Sequence, residues 1–108
     1  MDKEWSHGNF QIREGLKPES DHFQYFFIVS QGGVKKCRLC VWITDDALAG
    51  FNPSREFAPI AYSRREDWSE WVRSKIDHGD FRDRVLKFDP AGRTEIDLSE
   101  MSERLRAG

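Results

Sequence analysis

Two adjacent glycines, Gly32 and Gly33, separate two stretches of the chain that are rich in aromatic and β-branched residues. These stretches cover residues 23–30 and 34–43. Residues of this kind favour strands, and paired glycines supply the positive φ angles that a tight turn between strands needs. The sequence therefore predicts a β-hairpin over residues 23–43, around which the rest of the chain must fold.

The register of this hairpin decides which side chains share a face, because a slip of one residue moves each side chain to the other face. A two-residue loop, Gly32-Gly33, would pair Phe27 with Arg38 and mix charge into both faces. A three-residue loop that adds Gln31 collects an almost wholly apolar set on one face, and burial favours this register. That set is Phe23, Tyr25, Phe27, Val29, Cys37, Leu39, Val41 and Ile43.

The sequence around the hairpin predicts one main α-helix and further strands. The helix is expected at about residues 63–78, because residues 63–66 fit an S-x-x-E capping box and apolar residues follow at helical spacing. Alternation predicts a strand within residues 8–16. Residues 85–98 alternate like a second hairpin, although residues 81–88 also fit one face of a short helix.

Shorter elements are predicted from single residues. Thr44 is a candidate N-cap for a short helix that stops at Gly50. Residues 57–62 are predicted to form an edge strand, since Pro59 lacks the amide hydrogen that a central strand needs. The polar residues 99–106 predict a helix that frays.

Together these elements predict an α+β fold, in which a small antiparallel β-sheet of three to five strands packs with one main α-helix. The 108 residues fall within the size range of a single domain, and no linker or repeat divides them. We therefore expect one domain over residues 1–108, with residues 99–108 frayed.

The charge of the chain is nearly balanced, with 17 Lys and Arg residues, 19 Asp and Glu residues and a formal net charge of −2. The net charge therefore does not predict binding to nucleic acid or to an anionic membrane. Partners have to be predicted from the local distribution of charge. No apolar stretch approaches the ~20 residues that span a bilayer, and no signal-peptide pattern occurs. With only two cysteines, a cytoplasmic location is expected.

Cys37 and Cys40 have the C-x-x-C spacing of redox and zinc sites, but they fall in the middle of a predicted strand. An extended backbone points the two sulfurs to opposite faces and holds them too far apart for a disulfide. No second C-x-x-C pair completes a zinc site, so we interpret both cysteines as small buried residues and expect no metal.

The common motifs for phosphate, dinucleotide, metalloprotease or acyl-transfer chemistry are missing from the sequence. Asp45 and Asp46 suit the first turn of a helix better than a paired-carboxylate site. The three histidines lie at polar junctions without a signature; they are His7, His22 and His78. We therefore assign no catalytic residue and no cofactor, and a non-enzymatic role is favoured.

Residues 23–43 hold three basic residues and no acidic residue, a local asymmetry that the net charge hides. The hairpin face opposite the apolar set mixes aromatic and basic side chains and is too apolar to be left entirely to water. We expect that Trp68 and Trp71 of the predicted helix cover it, which would make a three-layer core.

If the helix packs on the apolar set instead, an aromatic and basic sheet surface is left exposed. The candidate binding residues are then Phe26, Lys36, Arg38 and Trp42. Trp and Arg are common at protein binding hot spots, and unpaired bases can stack on aromatic sheet residues. The sequence thus predicts a regulatory, adaptor or inhibitor-type domain that binds a protein partner through a sheet face or edge. Single-stranded nucleic acid is the alternative partner, and a homodimer is compatible with the same surface.

Overall fold

The computed structural model describes residues 3–17, 22–51 and 56–98, apart from the side chain of Phe51. In this part of the chain, six strands form one sheet whose spatial order follows the chain order. The strands are β1 (Lys3–His7), β2 (Phe10–Leu16), β3 (Phe23–Gln31), β4 (Val34–Ile43), β5 (Arg84–Asp89) and β6 (Gly92–Asp97). The helices are α1 (Asp45–Phe51) and α2 (Phe57–Asp77), both between β4 and β5.

The predicted α+β class is confirmed, with one strand more than the three to five expected. Strand β1 was not predicted, and β4 pairs with β5 in parallel, whereas the other neighbouring strands are antiparallel. A parallel pair needs a long crossover connection, which the segment containing α1 and α2 provides. This crossover places α2 over one face of the sheet.

The central hairpin of β3 and β4 is confirmed, but the three-residue turn is wrong. Gln31 pairs with Val34, so the turn consists of Gly32 and Gly33 alone. Their φ angles are 58° and 81°, in the left-handed region that side chains rarely adopt. The two glycines therefore close the turn by themselves.

A β-bulge corrects the register beyond this turn. Ser30 pairs with Lys35, whereas Val29 pairs with Cys37, so Lys36 is an extra residue on β4. One additional residue in a strand moves the following side chains to the other face, as one additional residue in the loop would have done. The predicted apolar grouping is therefore correct, and all its members are buried: Phe23, Tyr25, Phe27, Val29, Cys37, Leu39, Val41 and Ile43.

Helix α2 begins at Phe57 and includes the residues 57–62 that were predicted as a strand. Pro59 lies in the first helical turn, where its missing amide hydrogen costs no hydrogen bond. Ser63 lies inside the helix, and its hydroxyl donates to the Ile60 carbonyl at 3.2 Å instead of capping a helix start. The capping-box prediction was therefore wrong about where the helix begins.

Helix α2 ends at Asp77, in agreement with the predicted end near residue 78, and Gly79 follows it. The Gly79 N–H donates to the Ile76 carbonyl at 3.0 Å, and the Asp80 N–H donates to the Lys75 carbonyl at 2.9 Å. This pair of bonds is a Schellman motif, which requires a positive φ at Gly79, here 65°. The chain is thereby turned back toward β5.

The second hairpin is confirmed, and the alternative helix over residues 81–88 is wrong. Asp89 closes the turn between β5 and β6, where its Oδ1 accepts from the N–H groups of Ala91 at 2.9 Å and Gly92 at 3.0 Å. Thr44 caps α1 as predicted, with its Oγ1 3.4 Å from the Ala47 nitrogen. The helix predicted over residues 99–106 lies outside the described residues.

The hydrophobic core lies between α2 and the apolar set of the hairpin. The Trp68 ring lies 5.4 Å from the Phe23 ring and 5.5 Å from the Tyr25 ring, centroid to centroid. Trp71 donates from Nε1 to Glu95 Oε1 at 2.6 Å, on the same side of the sheet. The expectation that Trp68 and Trp71 cover the opposite face was therefore wrong.

Candidate functional site

We call the sheet face that α2 packs against the covered face and the other one the open face. Strand alternation and the observed register assign the side chains to each. Among the described residues, no helix packs on the open face. Its strand residues include Glu4, Gln11, Arg13, Gln24, Phe26, Ile28, Ser30, Lys35, Arg38, Cys40, Trp42, Val85, Lys87 and Ile96.

Phe26 lies at the centre of the open face and is only 7% exposed. On the adjacent strand β2, Phe26 pairs with Gly15, which has no side chain to pack against the ring. The Arg13 guanidinium carbon lies 5.7 Å from the ring centroid. A guanidinium at this distance is attracted to the electrons of the ring face. Arg13 therefore lies over the Phe26 ring on the open face.

Trp42 is half-buried, in the next strand of the open face. The Lys87 ammonium lies 5.1 Å from a Trp42 ring centroid, and the His22 ring lies 6.1 Å away. The indole Nε1 is inaccessible to solvent and has no hydrogen-bond partner. Trp42 thus has a cation near its ring and a polar atom without an acceptor.

Arg38 is half-buried on the same strand, two residues from Cys40. Its backbone N–H donates to Asp83 Oδ1 at 2.8 Å, while its side-chain Nε is inaccessible and has no partner. Burial raises the pKa of the Cys40 thiol, although the charge and hydrogen bond of Arg38 oppose this rise. Cys40 is therefore mainly the neutral thiol at neutral pH.

The structure brings three of the four predicted binding residues together and sets the fourth apart. Phe26 pairs with Cys40 across β3 and β4, between the positions of Arg38 and Trp42 on β4. Lys36 occupies the bulge near the turn and is exposed. The candidate site is therefore centred on the regular part of the hairpin.

Two cations of the site, Arg13 and Lys87, were missed because they lie outside the hairpin. Alternation within residues 8–16 could have assigned Arg13 to a face opposite its apolar neighbours. The position of Lys87 beside Trp42 depends on the parallel pairing of β4 with β5, which has no local signal. Charge on the described strand residues of the open face is positive: Arg13, Lys35, Arg38 and Lys87 against the single carboxylate of Glu4.

A shallow groove of about 440 Å³ runs along the part of the open face formed by β1, β2 and β3. Glu4 and Arg13 contribute opposite charges to it, and Ile28 contributes apolar surface. Ser30 and Gln11 add neutral polar groups. The groove therefore continues the apolar and basic centre toward an edge of the sheet.

The covered face contains a polar cluster around Glu14, whose side chain is completely buried. Glu14 Oε2 accepts from Trp5 Nε1 at 2.6 Å, and Oε1 accepts from the Tyr25 hydroxyl at 2.8 Å and from Arg65 Nε. Burial, reinforced by Glu14, raises the pKa of Tyr25. Burial alone would lower the pKa of Arg65, but the bond and charge of Glu14 raise it. The cluster joins three strands to α2, and both carboxylate oxygens are satisfied.

None of these four residues was predicted to be functional. The alternation that defines β2 places Glu14 among apolar neighbours, and a charged residue at such a position could have revealed a buried ion pair.

The residue types that suggested chemistry are dispersed. Cys37 and Cys40 are free thiols, in a strand whose alternation points them to opposite faces. His7 Nε2 lies 2.7 Å from Asp77 Oδ1, and His78 Nδ1 lies 2.7 Å from the Ser74 carbonyl oxygen. Within residues 3–17, 22–51 and 56–98, no group of three or more His, Cys, Asp or Glu side chains could hold a metal ion.

Comparisons with protein-family models, with curated proteins and with solved structures returned no match for this chain. Across the part of the chain that the structure describes, no helix is both long and apolar enough to cross a membrane. The open face is therefore the feature from which a function has to be argued.

Proposed function

We propose that this chain is a small non-enzymatic binding module of regulatory, adaptor or inhibitor type, which binds an acidic protein partner through the open face. The observation that carries this proposal is an aromatic centre with cations over its rings, on a sheet face without a covering helix among the described residues. Phe26 is buried there and Trp42 is half-buried. Protein interfaces combine such anchors with a polar rim.

The charge of the open face supports an acidic partner. Among its described strand residues, four cations outweigh the single carboxylate of Glu4: Arg13, Lys35, Arg38 and Lys87. Arg13 and Lys35 are exposed and can be reached from solvent. Carboxylate side chains of a partner would complement this positive charge.

The edges of the sheet are less suited to binding than its face. Strand β1 carries Lys3 and Glu4, and β6 carries Arg93, Glu95 and Asp97. Charged side chains along an edge discourage the addition of another strand. A second copy of the chain is also a poor partner for the open face, because two faces of the same sign repel each other.

Single-stranded nucleic acid is the second candidate, and the same cations favour it. Bases would have to stack on the aromatic rings of the face. Arg13 lies over the Phe26 ring and Lys87 over the Trp42 ring, so cations already occupy the positions that bases would take. The phosphates of a bound strand would still pair with these cations. The base stacking that contributes to the affinity of single-strand-binding modules would, however, be reduced.

The test compares capture from native cell extract by the immobilised protein and by two charge variants. Arg38→Glu combined with Lys87→Glu reverses the charge of the open face. Arg93→Glu, on the exposed strand β6 and on the covered side, is the control for a single charge reversal. We expect a partner that resists nuclease, binds Arg93→Glu normally and binds the double variant at least tenfold more weakly by calorimetry, about 1.4 kcal/mol.

Three results would overturn the proposal. The first is a partner that is lost on nuclease treatment, with direct binding of a labelled oligodeoxythymidine whose affinity falls steeply with salt. The second is equal loss of the partner in Arg93→Glu. The third is retention of full affinity when Arg38 and Lys87 are reversed.

A further inference from the structure

A small cleft lies on the covered side of the molecule, between the edge of the sheet and the first turns of α2. Leu16 of β2 and Tyr25 of β3 line it on the sheet side, and Ala58 and Ala61 of α2 line it on the helix side. Its volume is about 100 Å³. We call this depression the α2 cleft.

The mouth of the α2 cleft carries a tyrosine whose exposure the fold does not explain. Tyr62 is 88% exposed, one of two large hydrophobic side chains with high exposure among the described residues. A tyrosine offers an apolar ring and a polar tip, which suits the boundary of a binding site. With Leu16, Ala58 and Ala61, it gives the cleft a mainly apolar lining.

Charge at the α2 cleft is positive. Lys3 and Arg65 line it, and Lys3 is exposed. The nearby carboxylate of Glu14 is completely buried and already accepts hydrogen bonds from Trp5, Tyr25 and Arg65. Arg65 is thus paired with a buried carboxylate, and Lys3 supplies the net positive charge that an anion entering the cleft would meet.

Arg65 keeps part of its hydrogen-bonding capacity. Its bond to Glu14 uses Nε, and the side chain is 28% exposed. Arg65 also has a side-chain hydrogen bond with Tyr25. A guanidinium has five N–H groups, so these two bonds leave others for a carboxylate. The buried ion pair thus holds Arg65 in position beside the cleft.

We propose that the α2 cleft binds a small free monocarboxylate with a short apolar chain. A protein cavity of about 150 Å³ can hold benzene, so a cleft of about 100 Å³ fits an acid of roughly three to five carbon atoms. The carboxylate lies at Arg65 and Lys3, and the hydrocarbon chain lies against Leu16, Ala58 and Ala61. This site is separate from the open face, so its failure leaves the proposed partner binding intact.

The test is a titration of the full chain with isovalerate, followed by ¹H–¹⁵N NMR. The indole N–H of Trp5, which donates to Glu14, is a reporter next to the cleft. We expect saturable shifts at Trp5 and at the backbone of Ala61, with a Kd between about 0.1 and 10 mM for a ligand of this size. Isovaleramide, a neutral molecule of the same shape, should bind at least tenfold more weakly.

Two variants separate the cleft from general surface binding. Ala61→Leu fills the cleft and should weaken isovalerate binding at least tenfold, whereas Ala91→Leu in the turn between β5 and β6 should not change it. Lys3→Gln should weaken binding about threefold, as expected for one partly screened charge, and Lys36→Gln in the bulge is its control. These variants preserve the ion pair of Arg65 with Glu14, whose loss could unfold the chain.

The proposal fails if isovalerate gives no saturable shift, if isovaleramide binds equally well, or if Ala61→Leu binds like the wild type. A short peptide ending in valine is titrated as well. Tighter binding of the peptide than of isovalerate would reject the assignment to a free acid.

Discussion

The covered and open faces of the sheet come from the same strands, yet they bury aromatic rings in different ways. Phe27 is completely buried among core residues of the covered face, between the sheet and α2. Phe26, the preceding residue, is 7% exposed on the open face, where Arg13 lies over its ring. Among the described residues, Phe27 is thus enclosed by other core side chains, whereas the Phe26 ring has a long cationic side chain over it.

The two faces also hold different polar groups. On the covered face, Glu14 accepts hydrogen bonds on both carboxylate oxygens, whereas Ser69 Oγ and Arg84 Nε are inaccessible and unpartnered. On the open face, Arg38 Nε and Trp42 Nε1 are inaccessible and unpartnered as well. Unpaired buried groups therefore occur on both faces. The reason for placing the binding function on the open face is that no helix among the described residues covers its aromatic and basic side chains.

The largest expected effect comes from removing the two adjacent rings one at a time. Phe27→Ala should lower the free energy of unfolding by about 3–5 kcal/mol, because it leaves a cavity in the core. Phe26→Ala should lower it by roughly 2 kcal/mol, since one side of this ring is covered by a single flexible side chain. Urea denaturation of both variants measures the difference. Equal losses would mean that the open face is as tightly packed as the core.

The next effect concerns the buried carboxylate. Glu14→Gln should lower the free energy of unfolding by about 2–3 kcal/mol, because Arg65 loses the charge that it pairs with and the amide offers one acceptor oxygen instead of two. Glu4→Gln makes the same change at an exposed site one strand away and should stay within about 0.5 kcal/mol. A Glu14→Gln variant as stable as wild type would show that the cluster contributes nothing net to stability.

The faces of the central hairpin could be predicted because alternation is a local property of the chain. The turn could not be predicted in the same way, since an extra residue in the loop and an extra residue in β4 give the same alternation beyond it. The structure places the extra residue at Lys36, in a bulge. Apolar patterning therefore fixes which side chains share a face, but not the place where the register is adjusted.

The helix start and the full binding site depend on contacts between distant residues. Residues 57–62 fit an edge strand or a helix start, and Pro59 is compatible with both. Phe57 packs against Phe23 with 5.6 Å between the ring centroids. No local pattern in the sequence predicts this contact. Lys87 joins the site through the parallel pairing of β4 and β5. Such placements follow from the order of strands in the sheet.

A third, smaller effect is expected in alkaline solution and arises on the covered face. Burial raises the pKa of the Cys37 thiol from 9.0 to about 11. A raised pKa in the folded state stabilises the protein fully below pH 9, and this stabilisation is lost as the pH rises from 9 through 11. Between pH 7 and pH 10, this thiol should account for a loss of about 1 kcal/mol, which Cys37→Ala should remove.

Cys40→Ala is the matched control for this pH dependence. Its thiol lies on the open face, where Arg38 opposes the effect of burial on its pKa. The loss of stability between pH 7 and pH 10 should therefore change less in Cys40→Ala than in Cys37→Ala. Urea denaturation at both pH values measures this loss. A larger change in Cys40→Ala than in Cys37→Ala would contradict the assignment of Cys37 to the covered face.

The smallest effect on stability is expected at the cation nearest Trp42, and it separates charge from packing on the open face. Lys87→Met keeps the aliphatic stem that covers the sheet but removes the ammonium 5.1 Å from a Trp42 ring centroid. An exposed cation–π contact is worth about 0.5–1 kcal/mol, and the thioether recovers part of it, so the net loss should stay below about 0.5 kcal/mol. Lys87→Ala removes the stem as well and should cost about 0.5–1 kcal/mol. If the two variants lose the same stability, the charge rather than the stem holds this part of the open face together, and a partner's carboxylate would then compete with the Trp42 ring for Lys87.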